Sequence, residues 1–387
     1  LPGIDEVVIE VPAHYPNIEQ LHTYIGDADA VFGLWIGPDN MNEAFLSQHP
    51  NLKYVATLGH GWEKFDTEMT RKRGISISNT IYGSQTIAEY AFALLMDVCH
   101  HIGTHDTRIK TIDWSVPENH NEFCKSVTRQ IELYDKTIGV IGLGAIGVLV
   151  ANAAIHMGME VYGYDPYISV DAAWNLSRDI HHIQNVEDIY RTCDYITIHV
   201  PLLDSTKGMI NKAAIDEMKD GVVLLNYARD LLVDEDAVLA ALKAGKMKKY
   251  VTDFANPKVV GAEGTIVTPH LGASTKESED NCAVMAVKEI RDFLENGNIR
   301  NSVNFPNCDM GVCTGAGRVT ICHKNIPGML GAFTTVMGNA GVNISDMTNK
   351  GKGDYAYTMM DLESEATEEI VKALEAVDGV LKVRIIQ

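Results

Sequence analysis

Three polar residues of complementary chemistry close three apolar runs: Arg229 in "LLNYARD", Asp253 in "YVTDF" and His270 in "IVTPHLGAST". A guanidinium holds a carboxylate through two parallel hydrogen bonds, and an imidazole exchanges a proton near neutral pH. Together these groups suffice to orient an oxyacid and to move a proton to or from its oxygen. Taken alone, Arg229 reads more readily as a surface arginine paired with Asp230 or Asp234, and His270 as a turn histidine. Set at successive predicted strand ends behind a phosphate-binding loop, they point to chemistry.

That loop is "GVIGLGAIG", in which Gly142, Gly144 and Gly147 keep G-x-G-x-x-G spacing around Ala145 and Ile146. It directly follows a predicted strand, "TIGVI", and directly precedes a predicted helix. Glycines there let the main chain turn tightly and approach a pyrophosphate, whose charge meets the unpaired N–H groups of the helix start. The next strand, "EVYGYDPY", ends in Asp165. A carboxylate at that place accepts from two ribose hydroxyls and repels a 2′-phosphate, so NAD is expected rather than NADP.

The elements that must carry these residues alternate between short apolar runs and helical segments, the pattern of a parallel sheet. One series starts at "EVVIEVPA" (residues 6–13) and continues through "ADAVFGLW", "NLKYVATLG" and "GISISNT" to an apolar helix over Thr86 to Ile102, with Thr86 as its expected cap and Glu89 behind it. The second runs from "KTIGVIGLGAIG" through "CDYITIHVPL" to "GTIVTPHLGAS" and ends in a helix over Thr275 to Gly297. A polar connector follows, and Arg318 to Gln387 then reads strand, helix, strand, strand, helix, strand. The fold expected is α/β: two doubly wound parallel-sheet lobes, one Rossmann-type and one flavodoxin-like, with a cleft between them and a small βαββαβ domain at the end. The boundaries expected are 1–101 with 276–300 for the first lobe, 102–275 for the cofactor lobe, 301–317 for a linker and 318–387 for the small domain.

The chain has 387 residues, 46% of them hydrophobic, enough for more than one core. With 52 acidic against 32 basic residues its formal charge is -20, which repels phosphate backbones and anionic lipid, so neither nucleic acid nor membrane is an expected partner. No apolar run is long enough to span a bilayer, and a cytoplasmic location is expected. The chain opens on Leu1 rather than methionine, which leaves room for an upstream strand. The seven cysteines form no CxxC pair; reduced thiols are expected, Cys308 and Cys313 among them, and no metal site. The apolar helix after Thr86 offers more hydrophobic surface than one lobe needs, so a homodimer or larger homo-oligomer is expected.

The segments "GLGAIG", "YGYDPY", "HVPL", "NYARD" and "PHLGAST", in that order, resemble the D-isomer-specific 2-hydroxyacid dehydrogenases over nearly all of residues 50 to 300. Residues 138 to 387 are most similar to the bacterial phosphoglycerate branch of that family, and the tail resembles the ACT regulatory domain, whereas residues 50–137 are more similar to the glycerate/hydroxypyruvate branch. The resemblance implies NAD as cofactor, a small 2-hydroxyacid or 2-keto acid as substrate, and a place in serine biosynthesis. Arg229 would then bind the substrate carboxylate and carbonyl, His270 would be the acid/base, and Asp253 would hold the nicotinamide carboxamide. Pro201 of "HVPL" would line the cofactor, and Leu58, Gly59, His60 and Gly61 would receive the substrate carboxylate. His323, Asn325, Gly328 and Asn343 match effector-binding positions of ACT domains, with serine the expected effector.

Two departures stand out. Where most of the family has a glutamate that pairs with the histidine, this chain reads "TDFANPKV", with Asn256 before Pro257. Asn256, Glu263 and Asp230 are the candidates to orient His270, and its pKa is expected near the ordinary histidine value of about 6.5. An arginine-containing segment that meets the phosphate in the phosphoglycerate branch is replaced by "GLWIGPDNM", without a cation, and Lys125, Arg129, His100 and His101 are the candidate replacements. Loss of the acid/base pair would leave a different class of protein, a noncatalytic NAD-sensing regulator; the retained Arg229 and His270 favour the enzyme.

Overall fold

The computed structural model describes residues 16–33, 42–58, 65–80, 83–121 and 130–386. The chain forms two compact units, Leu1–Tyr82 with Lys276–Gln387, and Gly83–Thr275.

The second unit is built on seven parallel strands: β4 (Thr137–Ile141), β5 (Glu160–Tyr164), β6 (His181–His182), β7 (Tyr195–Ile198), β8 (Val222–Asn226), β9 (Met247–Thr252) and β10 (Thr265–Val267). The runs "TIGVI", "YITI" and "VVLLN" are apolar almost throughout, as parallel strands covered on both faces require. The spatial order is β10-β9-β8-β7-β4-β5-β6, so the winding reverses between β4 and β7. Loops leaving the carboxyl ends of strands part at such a reversal, opening the crevice where ligands bind.

The first unit carries α1 (Ile18–Ile25), α2 (Glu43–Leu46) and α3 (Thr67–Lys72) with the parallel strands β1 (Ala30–Gly33), β2 (Tyr54–Thr57) and β3 (Ser76–Asn79) in sequential order. In the second unit α4 (Ser84–His100) and α5 (Ile102–Thr111) come first. They are followed by α6 (Ala145–His156), α7 (Val170–Trp174), α8 (Val186–Thr192), α9 (Lys212–Glu217) and α10 (Glu235–Lys243). Helix α4 corrects one expected boundary. Ala88, Ala91, Leu95 and Val98 of α4 share a core with Val148, Ala151 and Ala154 of α6, so the chain joins the cofactor unit near residue 83 and not at 102. Alanines on both helices let the two backbones approach closely. Nor does Thr86 cap α4: the helix starts at Ser84 behind a left-handed Gly83, and the Thr86 hydroxyl pairs with that of Thr275 instead.

The first unit is completed by α11 (Lys276–Asn296), which ends at Gly297 in the left-handed conformation, as expected for that helix. Alternation along β2 sends Val55 toward α1 and α2, and Tyr54 and Ala56 toward α11, so helices cover both faces of the sheet. The tail is β11 (Gly317–Lys324), α12 (Met329–Asn339), β12 (Ile344–Lys352), β13 (Tyr355–Leu362), α13 (Glu368–Glu375) and β14 (Val380–Ile386), the expected βαββαβ order. Its sheet is antiparallel in the order β12-β13-β11-β14.

Residues 301–317 do not behave as a linker. Buried Asn304 accepts from the Ile77 amide at 2.9 Å and donates to the Ile75 carbonyl at 2.7 Å and to the Thr70 hydroxyl at 3.0 Å, pinning the segment to the edge of β3. Cys308 lies buried against Tyr357 rather than in an open loop. The carboxyl end of α11 is held by the tail: Arg384 lies 4.1 Å from the Phe293 ring centroid and donates to the Phe293 carbonyl at 3.3 Å. Arg318 donates to the Asn296 carbonyl at 2.8 Å and the Tyr357 hydroxyl to the Gly297 carbonyl at 2.8 Å, so helix carbonyls left open by the last turn find partners. Arg318 is fully buried and is paired with Asp361 at 2.8 Å.

The expected strand over residues 6–13, the segment at 34–41, and Gly59, His60, Gly61, Lys125 and Arg129 lie outside the described residues. Among the described residues no helix is long and apolar enough to cross a membrane, and no group of three metal-binding side chains occurs.

Candidate active site

Strand β4 delivers the chain into the glycine loop. Gly142 takes φ +94°, and a Cβ there would stand 2.6 Å from the His199 carbonyl oxygen at the end of β7. Gly147 is tighter still, for a Cβ would come within 1.8 Å of the Gly142 carbonyl oxygen. Gly144 has open space where its Cβ would be, and it precedes α6 without any side-chain cap. The loop is thus closed against the protein on two sides and open on the third, with uncapped helix amides behind it, which fits a pyrophosphate. Ala145 and Ile146 form the first turn of that helix. Asp165, at the end of β5, accepts from the Leu143 amide at 2.9 Å and from the Tyr167 amide at 2.8 Å, so its carboxylate is fixed beside the loop. Pro201 follows β7, its carbonyl accepting from the Thr206 hydroxyl at 2.7 Å. His199 is half-buried with Nε2 2.9 Å from the Thr197 hydroxyl, and loss of solvent around the ring drives its pKa down to about 4, so the imidazole beside the loop is neutral.

A Gly147→Ala variant tests this packing. The added methyl meets main chain rather than a yielding side chain, and overpacking of that kind costs roughly 1–3 kcal/mol. We expect a lower Tm and an NADH dissociation constant raised by about tenfold or more, read by thermal unfolding and by fluorescence titration.

Arg229, Asp253 and His270 leave the neighbouring strands β8, β9 and β10 at the same edge of the sheet. The Arg229 loop is drawn tight by Asn226, fully buried, whose side chain donates to the Arg229 carbonyl at 2.9 Å and accepts from the Ala228 amide at 3.2 Å. Arg229 itself is half-buried and donates to the Ala228 carbonyl at 2.7 Å. The imidazole of His270 lies against the Phe254 ring, centroids 5.1 Å apart, with its Nδ1 3.2 Å from Asp253 Oδ2. The Asp253 side chain is 3% exposed and that of His270 67% exposed, so the pair has a buried anchor and an open face.

The expectation that His270 titrates near the ordinary histidine value is therefore corrected. The hydrogen bond to Asp253 raises its pKa, against partial burial and the nearby positive charge of Arg229, which lower it. None of the three candidates for its partner reaches it. Asn256 donates to Glu235 at 2.8 Å and accepts from the Lys258 amide at 2.9 Å, so both ends of its amide are committed. Glu263 precedes β10 and so belongs to the opposite edge of the sheet from His270. Asp230 caps its own turn through the Leu231 amide at 2.8 Å. The expected cofactor residue Asp253 is what stands beside His270. Its other oxygen, Oδ1, is buried and has no protein partner among the described residues, as is the Tyr227 hydroxyl. An orphaned acceptor of this kind fits the amide donor of a nicotinamide carboxamide.

Residues the motifs did not single out support the pair. The Tyr90 hydroxyl donates to Thr268 at 2.6 Å, and a Cβ on Gly272 would stand 3.4 Å from Asp253 Oδ2 and 3.5 Å from the Tyr90 ring. Asn226 was visible as a lone polar residue ending "VVLLN"; nothing in the local sequence marks Tyr90.

The other expected sites fare differently. Of the substrate loop only Leu58 is described, at the carboxyl end of β2, and of the candidate phosphate-binding cations only His100 and His101, which end α4. The four effector positions do not converge within one chain. His323 is buried, with Nδ1 2.7 Å from the Lys324 carbonyl and Nε2 2.8 Å from the Thr358 hydroxyl, leaving no nitrogen for a ligand. Asn325 and Gly328 are exposed beyond the end of the sheet where Lys324 pairs with Tyr355, whereas Asn343 precedes the other end, where Ile344 pairs with Leu362.

Residues 92–272 match the family described as D-isomer specific 2-hydroxyacid dehydrogenase, NAD binding domain. A hydroxypyruvate reductase of Blautia hydrogenotrophica is 30% identical over 312 residues, covering 79% of this chain and 94% of that protein. A D-3-phosphoglycerate dehydrogenase of Haemophilus influenzae is 27% identical over 359 residues, 90% of this chain and 84% of that one. Among solved structures, a D-lactate dehydrogenase from Aquifex aeolicus complexed with NAD and lactic acid superposes with a TM-score of 0.59 at 26% identity, covering 74% of this chain and 90% of that chain.

Proposed function

The chain belongs to the D-isomer-specific 2-hydroxyacid dehydrogenase family, an NAD-dependent family, and from that premise we propose that it interconverts D-3-phosphoglycerate and its 2-keto acid. D-Glycerate and hydroxypyruvate are the alternative pair. The observation that carries the chemistry is the gathering of Arg229, Asp253 and His270 at one edge of neighbouring strands. Similarity to the phosphoglycerate relative runs through 90% of the chain and supports the first substrate. The second is favoured by the hydroxypyruvate reductase, matched over 94% of its own length, and by the absence of a cation from "GLWIGPDNM".

NAD, when bound, accepts or supplies the hydride at the substrate's second carbon. Gly142, Gly144 and Gly147 with the start of α6 would hold its pyrophosphate, and Asp165 its ribose. Arg229 would grip the carboxylate and orient the carbonyl, and His270 would give its Nε2 proton to the carbonyl oxygen in reduction and take it from the hydroxyl in oxidation. A noncatalytic NAD sensor loses its main support once His270 has a carboxylate beside it. The same reading places the protein in the cytoplasm, in serine formation, as a homo-oligomer. Phe92, Leu94 and Met96 of α4 are only partly buried in a single chain, and sedimentation of the full chain tests that last point. Serine as an effector of the tail is tested by calorimetry.

Steady-state oxidation of NADH with 3-phosphohydroxypyruvate and with hydroxypyruvate separates the substrates. A higher kcat/KM for the phosphorylated acid is expected; the reverse order would move the assignment to hydroxypyruvate. Tight NADH binding with no turnover of any 2-keto acid would favour the sensor.

A further inference from the structure

We propose that Asp253 is the positioning residue of His270, replacing the carboxylate that the segment "FANP" lacks, and that one buried carboxylate thereby serves the histidine with one oxygen and the cofactor with the other. The proposal rests on His270 being the acid/base of the reading above.

Geometry dictates how the pair works. An ionised carboxylate only accepts, so the 3.2 Å approach of Nδ1 to Asp253 Oδ2 places a proton on Nδ1 in both charge states of the ring. The proton that comes and goes is then the one on Nε2. In reduction that proton leaves Nε2 for the carbonyl oxygen as the hydride arrives at carbon, and the ring is left neutral with Nδ1–H still directed at Asp253. Oxidation runs the same transfer backward, and Asp253 never takes the proton.

Several features hold the carboxylate for this task. Asp253 is buried while His270 is open on its far side. Among the described residues the titratable groups facing the pair are few: Arg229 toward His270, and Tyr227 toward Asp253, with Tyr90 and Tyr250 flanking Tyr227. None of these is a second carboxylate. Asn256, which occupies the place where the family carries its glutamate, is tied to Glu235 and to the Lys258 amide.

The test is a titration of His270 by ¹⁵N and ¹³C NMR in the full-length chain without substrate, so that it stands whether or not the substrate assignment holds. In the unmodified protein the neutral ring is expected as the Nδ1–H tautomer, with its midpoint above that of the same residue in Asp253→Asn. Asn256→Ala is expected to leave the midpoint where it is. In the reductase assay the pH at which activity falls off moves lower in Asp253→Asn, with kcat reduced by roughly a hundredfold. An Nε2–H neutral tautomer in the unmodified protein would overturn the proposal even if Asp253→Asn failed to fold. So would equal midpoints in the two proteins, or a shift in Asn256→Ala as large as that in Asp253→Asn.

Discussion

Replacing His270 with glutamine is expected to lower kcat by roughly 10²–10⁴-fold in both directions while NADH binding and KM for the keto acid stay near those of the unmodified protein. Glutamine fills similar space and can still hydrogen bond, but it cannot carry the proton between its own atoms and the substrate. The loss therefore falls on the chemical step. The direction of the wild-type pH dependence follows from the raised pKa of His270. Reduction needs the imidazolium, so its rate falls as pH rises through the histidine's pKa; oxidation needs the neutral ring, so its rate rises through the same pH. Because Asp253 raises that pKa, both limbs lie above the position an unpaired histidine would give. Initial rates in both directions across the pH range check this, and a glutamine variant with wild-type kcat would remove His270 from the reaction.

Arg229→Ala is expected to act on a different constant. Truncating one partner of a hydrogen-bonded charge pair costs about 2–5 kcal/mol, a loss of kcat/KM of roughly thirty- to several-thousand-fold, and the part spent on binding raises KM. Arg229→Lys keeps the charge without the fork and should fall between alanine and the unmodified protein. The loop around Arg229 is closed by Asn226 from beneath, so the backbone has reason to survive the truncation. Circular dichroism and NADH affinity serve as controls. Unchanged kcat/KM in Arg229→Ala would place the substrate carboxylate elsewhere.

Much of this was legible in the chain before any coordinates. Period and punctuation mark β1 to β3, six of the seven strands of the larger sheet and all six elements of the tail, because each apolar run is bounded by glycine or by a polar turn; β6, only His181–His182, has no apolar run to show. The glycine loop is legible for the same physical reason that it works: only residues without a Cβ fit where Gly147 approaches Gly142. What escaped were relations between distant residues. Helix α4 reads as an element of either unit until Ala88 and Ala91 are seen on α6. The stretch 301–317 looks like a linker by composition, since asparagine and serine favour loops, yet Ser302 and Asn304 spend their side chains inside the protein on Ile77 and Ile75. The sequence offers Asn256 and Glu263 downstream of β9 and Asp230 after β8 as partners for His270, whereas the acid beside the ring is Asp253 at the end of β9 itself. Sequence distance says nothing about which of two nearby acids faces a ring.

The hold of Arg318, Arg384 and Tyr357 on the last turn of α11 bears on how such a protein can be rearranged in evolution. Here the junction has the character of an interior: helix carbonyls on one side are satisfied by donors on the other, and Phe293 is covered by a guanidinium that belongs to the final strand. A transplanted tail would bring its donors to an acceptor surface not made for them, and a tail removed would leave that surface bare. The tail and the last turn of α11 accordingly share one interior, so the tail and the helix to which it is fastened form one packed unit.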